Sequence, residues 1–130
     1  MTRDIILVNL PDIEPSQSIA YKEVIAFEVD ATKGITIEKA AENKNNSLSI
    51  LIENAGDVVS SATFVAGDSY PNAMLGDLEI PLKESTTTVC QLQDLSRFEN
   101  RDGSIHIDFK SDFVGKICAI AKRAGILPVV

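Results

Sequence analysis

Apolar and polar residues alternate in short runs along most of this chain, from about residue 22 to residue 123. The clearest runs are Leu48–Glu53, Asp77–Leu82 and Ser104–Phe109. Alternation with a period of two places successive side chains on opposite faces of a β-strand. Several such runs at close spacing predict an all-β fold, namely a single-domain antiparallel β-sandwich or small barrel with an irregular N-terminal arm.

Turn-forming residues separate the runs and set the expected strand ends. Asn-Ala-Gly-Asp at 54–57 and Asp-Gly at 102–103 are typical of tight turns. A single helical turn over 94–98 would bring Phe98 onto the core. The strands are expected over residues 4–10, 22–30, 35–38, 47–53, 58–65, 77–82, 86–92, 104–109 and 116–122.

The last predicted strand has an alternative. Residues 117–124 are rich in Ala and Lys and precede Gly125, which is also typical of a helix and its C-cap. The alternation of Ile117, Ala119 and Ala121 with their neighbours favours the strand.

Composition divides the chain into three parts. Residues 1–21 are expected to be an N-terminal arm with one short strand, because Pro11 and Pro15 interrupt regular structure. Residues 22–123 are expected to form the β-sandwich domain, and residues 124–130 an apolar C-terminal tail. A length of 130 residues suits one domain with its own core.

The formal net charge is −7, from 19 acidic and 12 basic residues. A surface of that sign repels phosphate groups, which argues against nucleic acid and against an anionic membrane as partners. The chain has neither a recognisable secretory leader nor an apolar run of membrane-span length, so we expect it to be made in the cytosol of its producing cell.

Few residues are suited to catalysis. His106 lies two residues before Asp108, so a general base oriented by a carboxylate is one interpretation, and a solvated strand residue is the favoured one. A zinc site would require His106, Cys90, Cys118 and carboxylates to converge. The sequence contains no nucleophile elbow, phosphate-binding loop or dinucleotide fingerprint. We therefore expect no enzyme activity, no cofactor and no metal.

Cys90 and Cys118 fall on two different predicted strands. A disulfide would require those strands to pair across one ladder. A reducing compartment favours the alternative, in which both residues are buried thiols that pack as small apolar groups.

Two segments carry residues suited to contact a partner. Tyr70, Pro71 and Met74 lie in a predicted surface loop, where they either anchor a partner or cap the end of the sandwich. The tail is apolar at each of its last five positions, which indicates that it docks on this chain's own core or on a neighbour. Its predicted contact residues are Ile126, Leu127, Val129 and Val130.

A family resemblance extends over about residues 35–123. It is carried by Leu48–Asn54, by Phe-Val-Ala-Gly-Asp at 64–68, by Leu75–Leu82, and by Arg97–Phe109 with its Arg-Phe-x-Asn-x-Asp-Gly core. This order resembles the small structural proteins encoded beside the major capsid gene in tailed bacteriophages and prophages. Those proteins look like β-sandwiches that decorate or cement the head.

The resemblance implies a non-enzymatic virion protein on the capsid surface, synthesised in the host cytoplasm. Its expected partners are the major capsid protein or other virion proteins, and further copies of itself in a homo-oligomer. One alternative is a component of the phage tail or connector. Another is a carbohydrate-binding β-sandwich module, although such modules present exposed aromatic platforms and this chain has no Trp and two Tyr.

Overall fold

The computed structural model describes residues 2–9, 12–14, 19–21, 23–38, 48–68, 72–92 and 97–121. These residues form eleven strands and one turn of helix. The strands are β1 (Asp4–Asn9), β2 (Asp12–Glu14), β3 (Ile19–Tyr21), β4 (Phe27–Glu28), β5 (Ile35–Glu38), β6 (Leu48–Asn54), β7 (Ser60–Phe64), β8 (Leu78–Leu82), β9 (Thr86–Leu92), β10 (Ile105–Phe109) and β11 (Gly115–Ala121), and the helical turn is α1 (Asn72–Leu75).

Eight of these strands form one continuous sheet that curls into a nearly closed barrel. Its hydrogen-bonded order is β8-β7-β10-β5-β1-β11-β6-β9, and β4 adds to the edge of β11. Strands β2 and β3 pair separately as a short antiparallel ladder. The predicted all-β sandwich or small barrel is therefore confirmed.

The alternation seen in the sequence produces the core directly. Ile50 and Ile52 on β6 and Ile107 on β10 point inward and are fully buried, while the residues between them face outward. Branched aliphatic side chains of this kind pack well on a pleated surface. Seven predicted strands are confirmed with ends shifted by two residues at most: those over 35–38, 47–53, 58–65, 77–82, 86–92, 104–109 and 116–122.

Strand β1 has a position that the sequence did not indicate. The strand predicted over 4–10 is present, but it lies in the middle of the sheet and both of its pairings are parallel. Residues 4–7 pair with β5, and Val8 and Asn9 pair with β11. The fully antiparallel arrangement is thus wrong at this strand, which joins the two halves of the barrel.

Two other expectations near the N-terminus need correction. Strands β2 and β3 form a ladder where an irregular arm was expected, because Pro11 and Pro15 flank β2 and remove no hydrogen-bond donor from it. The strand predicted over 22–30 shrinks to β4. β1 already pairs with one edge of β11 at Ala119 and Ile120, and β4 pairs with the same edge only at Lys116 and Ile117.

The C-terminal region forms the predicted strand β11 and not the alternative helix. Phe98 is buried against Phe64, with ring centroids 5.6 Å apart, as the sequence predicted. Residues 94–96 of the predicted helical turn lie outside the described residues, and so does the apolar tail. In the described part of the chain, no helix has the length and apolar character needed to cross a membrane.

A candidate binding groove at the open seam of the barrel

Several polar residues of the segment 97–109 are engaged in turns. The buried Asn100 side chain donates from Nδ2 to the Ser104 carbonyl oxygen at 3.1 Å and accepts at Oδ1 from the Asp68 backbone N–H at 3.1 Å. The Asp68 carboxylate in turn accepts from the Arg101 N–H at 2.9 Å. These bonds fasten the loop after β7 to the loop before β10.

Asp102 and Gly67 complete the same structure. The Asp102 carboxylate accepts from the Ser104 hydroxyl and backbone N–H, which lowers the pKa of Asp102 below its ordinary value. Gly103 then turns the chain with a φ of 85°. A Cβ on Gly67 would collide with the Glu99 carbonyl oxygen, so only glycine allows the two loops to lie this close. These residues therefore have a structural role, which is to hold the two loops together.

The His106–Asp108 pair does not form the expected general-base arrangement. Arg3 donates from Nε and Nη2 to the two carboxylate oxygens of Asp108, each at 2.9 Å. Asp108 is thus held by Arg3 and does not orient the imidazole. Desolvation, and after it the positive charge of Arg3, lowers the pKa of His106 below 6.5. This favours a neutral, half-buried strand residue.

The two cysteines are free thiols on opposite faces of the sheet. Cys90 lies opposite Ile50 and faces the core, whereas Cys118 lies opposite Leu51 and faces outward. Strand β6 separates them, so the cross-ladder pairing that a disulfide requires is not formed. Burial raises the pKa of both thiols. Within the described ranges, no three His, Cys, Asp or Glu side chains come together as a metal site.

Among the described strands, the barrel has an open seam between β8 and β9. These strands are the two ends of the hydrogen-bonded order, so no described strand pairs with the outer edge of either. They are joined by the turn at residues 83–85, yet no ladder connects them. At the end far from this turn lies a cavity of about 220 Å³, lined by Phe64, Leu78, Ile80, Cys90, Gln91, Leu92, Arg97 and Phe98.

Among the described residues, Arg97 is the one charged side chain that lines this cavity. Its guanidinium lies over the Phe98 ring, 5.2 Å from the centroid. Nη2 donates two long hydrogen bonds of 3.4 Å to the Leu75 and Gly76 carbonyl oxygens. The buried Nε has no acceptor among the described residues. Apart from Arg97 and Gln91, the described lining of the cavity is apolar.

The outer rim of the seam contains the one predicted contact residue that the structure describes in detail. Met74 is 72% exposed, and its neighbour Leu75 is 60% exposed. Leu78, which lines the cavity, is also exposed. The other predicted contact residues lie outside the described ranges: Tyr70, Pro71, Ile126, Leu127, Val129 and Val130.

Sequence reasoning missed the seam itself. Leu78 and Leu92 read as ordinary core positions of two strands, and Arg97 reads as part of a turn. One available signal was the composition of β9, Thr-Thr-Thr-Val-Cys-Gln-Leu, which has no charge and no proline. Edge strands usually carry a charge or a proline that prevents pairing with another strand. A strand without either is expected to have its edge covered.

No protein-family model matches this chain, and comparison with curated proteins and with solved structures found no match. Its function is therefore inferred from the barrel, the seam and the exposed residues around them.

Proposed function

We propose that this chain is an accessory head decoration protein that binds the assembled lattice of a major capsid protein. The observation that carries the proposal is the exposed apolar pair Met74 and Leu75 at the rim of a stiff barrel. The resemblance of residues 97–109 to phage head proteins supports it, and Asn100 within that segment is engaged in a turn rather than in a site for chemistry.

The rim has the character of an interface anchor. Met is enriched at protein interfaces, where its flexible thioether adapts to a partner surface. A small contact of this kind is weak when it is made once. Repetition over a lattice, through an oligomer of this chain, raises the effective affinity without any new type of contact.

Charge supports a protein partner with basic patches. The chain carries a net charge of −7, which favours encounter with a basic surface and repels nucleic acid. Exposed charges are screened by salt over about 10 Å at 0.1 M ionic strength. Binding to capsids should therefore slow as salt is raised, while the apolar anchor keeps the complex together.

The test is binding to undecorated capsids assembled from the major capsid protein of a tailed phage. Purified protein should co-sediment with the capsids in a stoichiometry related to the lattice. The double variant Met74→Glu/Leu75→Glu should bind about tenfold or more weakly, because it places charge in an apolar contact. The matched control is Val59→Glu, which alters a residue that is 55% exposed at the opposite end of the barrel.

Three results would oppose the proposal. Folded protein that binds no capsid would remove it. Binding to purified tails or connectors, with none to heads, would place the chain in those structures. A specific response on a glycan array, lost in a variant of the seam, would identify a carbohydrate module.

A further inference from the structure

The outer edge of β9 is poorly suited to contact with water. β9 is seven residues long, rich in β-branched residues, and without charge or proline. Exposed edges of that kind are templates for pairing with another strand. Strand β8 carries Glu79 and Pro81, which are typical of an edge strand. The unprotected edge thus belongs to β9, beside an apolar cavity.

The C-terminal segment of this chain begins close to that edge. Ala121, at the end of β11, pairs with Leu48, which pairs with Leu92 at the end of β9. Neighbouring strands are about 4.8 Å apart, so a strand added beside β9 lies three spacings, about 14 Å, from β11. An extended chain advances about 3.4 Å per residue, so the five steps from Ala121 to Ile126 span about 17 Å.

Composition matches the segment to the cavity. Lys122-Arg123-Ala124-Gly125 can serve as the connection, with Gly125 free to turn, and the apolar residues 126–130 follow. Five residues in a strand cover about 17 Å, close to the length of β8. A strand at this place would bring apolar side chains to the cavity, next to Arg97, whose Nε has no acceptor among the described residues.

We propose that Ile126–Val130 of the same chain enters the seam as an extended strand that pairs with β9 in the antiparallel sense and covers the cavity, with the nitrogen of Pro128, which has no N–H to donate, on the side facing β8. The inference goes beyond capsid binding and stands independently of it, because it concerns the free protein. It also assigns the apolar tail to this chain's own core, one of the two alternatives that the sequence left open.

Cys90 allows a direct test, because its thiol lines the cavity. In a Cys118→Ser background, Ile126, Leu127, Pro128 and Val129 are each replaced by Cys, and the proteins are mildly oxidised. In a strand, alternate side chains face the same side. Positions of one parity, Ile126 with Pro128 or Leu127 with Val129, should therefore form an intramolecular disulfide with Cys90, seen as a loss of both free thiols in a monomer.

The matched control is Asp57→Cys in the same background, an exposed residue between β6 and β7 at the opposite end of the barrel. It should not crosslink. Crosslinking at every tail position alike, or at none of them in folded protein, would overturn the proposal. Disulfides only between chains would overturn it too and would assign the seam to the tail of a second copy.

Thiol accessibility in otherwise unaltered protein provides a second measurement. A chain ending at Ala124 should show alkylation of Cys90 about tenfold or more faster than the full chain, because the covering strand is gone. Cys118 serves as the internal control, since it faces outward two strands away. Equal Cys90 rates in the two chains would refute the proposal. If the truncated chain does not fold, the crosslinking pattern decides alone.

Discussion

Replacing Asn54 with leucine removes three hydrogen bonds from the end of β6 while keeping a side chain of similar size. Asn54 is 1% exposed. Its Nδ2 donates to the Leu82 carbonyl oxygen at 3.0 Å and to the Val58 carbonyl oxygen at 3.1 Å, and its Oδ1 accepts from the Gly56 N–H at 3.0 Å. This one amide therefore ties β6 to β8 and closes the turn between β6 and β7.

The cost follows from what each partner loses. The bond to Leu82 is buried and water cannot replace it, so its loss costs about 1–3 kcal/mol. The bonds to Val58 and Gly56 are partly buried, and each contributes about 0.5–1.5 kcal/mol net because water can partly replace them. Together these losses give about 4 kcal/mol, with a range of about 2–6 kcal/mol. That is a large part of the roughly 5–15 kcal/mol that stabilises a typical domain.

Urea unfolding followed by far-UV circular dichroism measures this loss, since the chain has no Trp to report by fluorescence. The matched control is Asn9→Leu, which removes one partly buried hydrogen bond, from Nδ2 to the Ala119 carbonyl oxygen at 3.1 Å. It should cost about 1 kcal/mol. A loss below about 1 kcal/mol for Asn54→Leu, or an equal loss for both variants, would refute the reasoning.

Three further predictions concern the loops, the histidine and the cysteines. Gly67→Ala should lower the free energy of unfolding by about 1–3 kcal/mol, because its Cβ meets the Glu99 carbonyl oxygen; an unchanged urea midpoint would contradict the close approach. His106 should titrate below 6.5 in an NMR pH series, because desolvation and Arg3 disfavour its charged form. As the pH falls, the unfolded chain therefore takes up the proton first, so the free energy of unfolding should decrease below about pH 6.5. His106→Gln should lose that part of the pH dependence, and a His106 pKa at or above 6.5 would exclude the effect. Cys90 and Cys118 should remain reduced in oxidising buffer while the protein is folded, because they face opposite sides of the sheet; an intramolecular disulfide detected by mass spectrometry would show that the register around β6 is wrong.

The sequence predicted most of the strands because one face of each strand is buried. On β10, for example, Ile105 and Ile107 alternate with His106 and Asp108, and period-two patterning requires no knowledge of partners. The motif loop was equally readable, since Asp102-Gly103 is a turn signal on its own. What the pattern lacks is the identity of each neighbouring strand.

That missing information explains the errors. β1 looks like any short strand in the sequence, and its parallel position between β5 and β11 depends on contacts with residues about 30 and about 110 positions later. β4 shares one edge of β11 with β1, which no local signal records. The seam was missed for the same reason, because whether a strand lies at the edge of a sheet depends on its neighbours and not on its own sequence.

The place of β1 also sets the order in which this protein can be built. The C-terminal end of β1 has to wait for β11, whose pairing residues Ala119 and Ile120 are synthesised about 110 residues later. Contacts so distant along the chain are slow to form, so closure of the barrel is expected after synthesis rather than during it. Until then Val8 and Asn9 at the end of β1 lack their partner in β11, although residues 4–7 can already pair with β5.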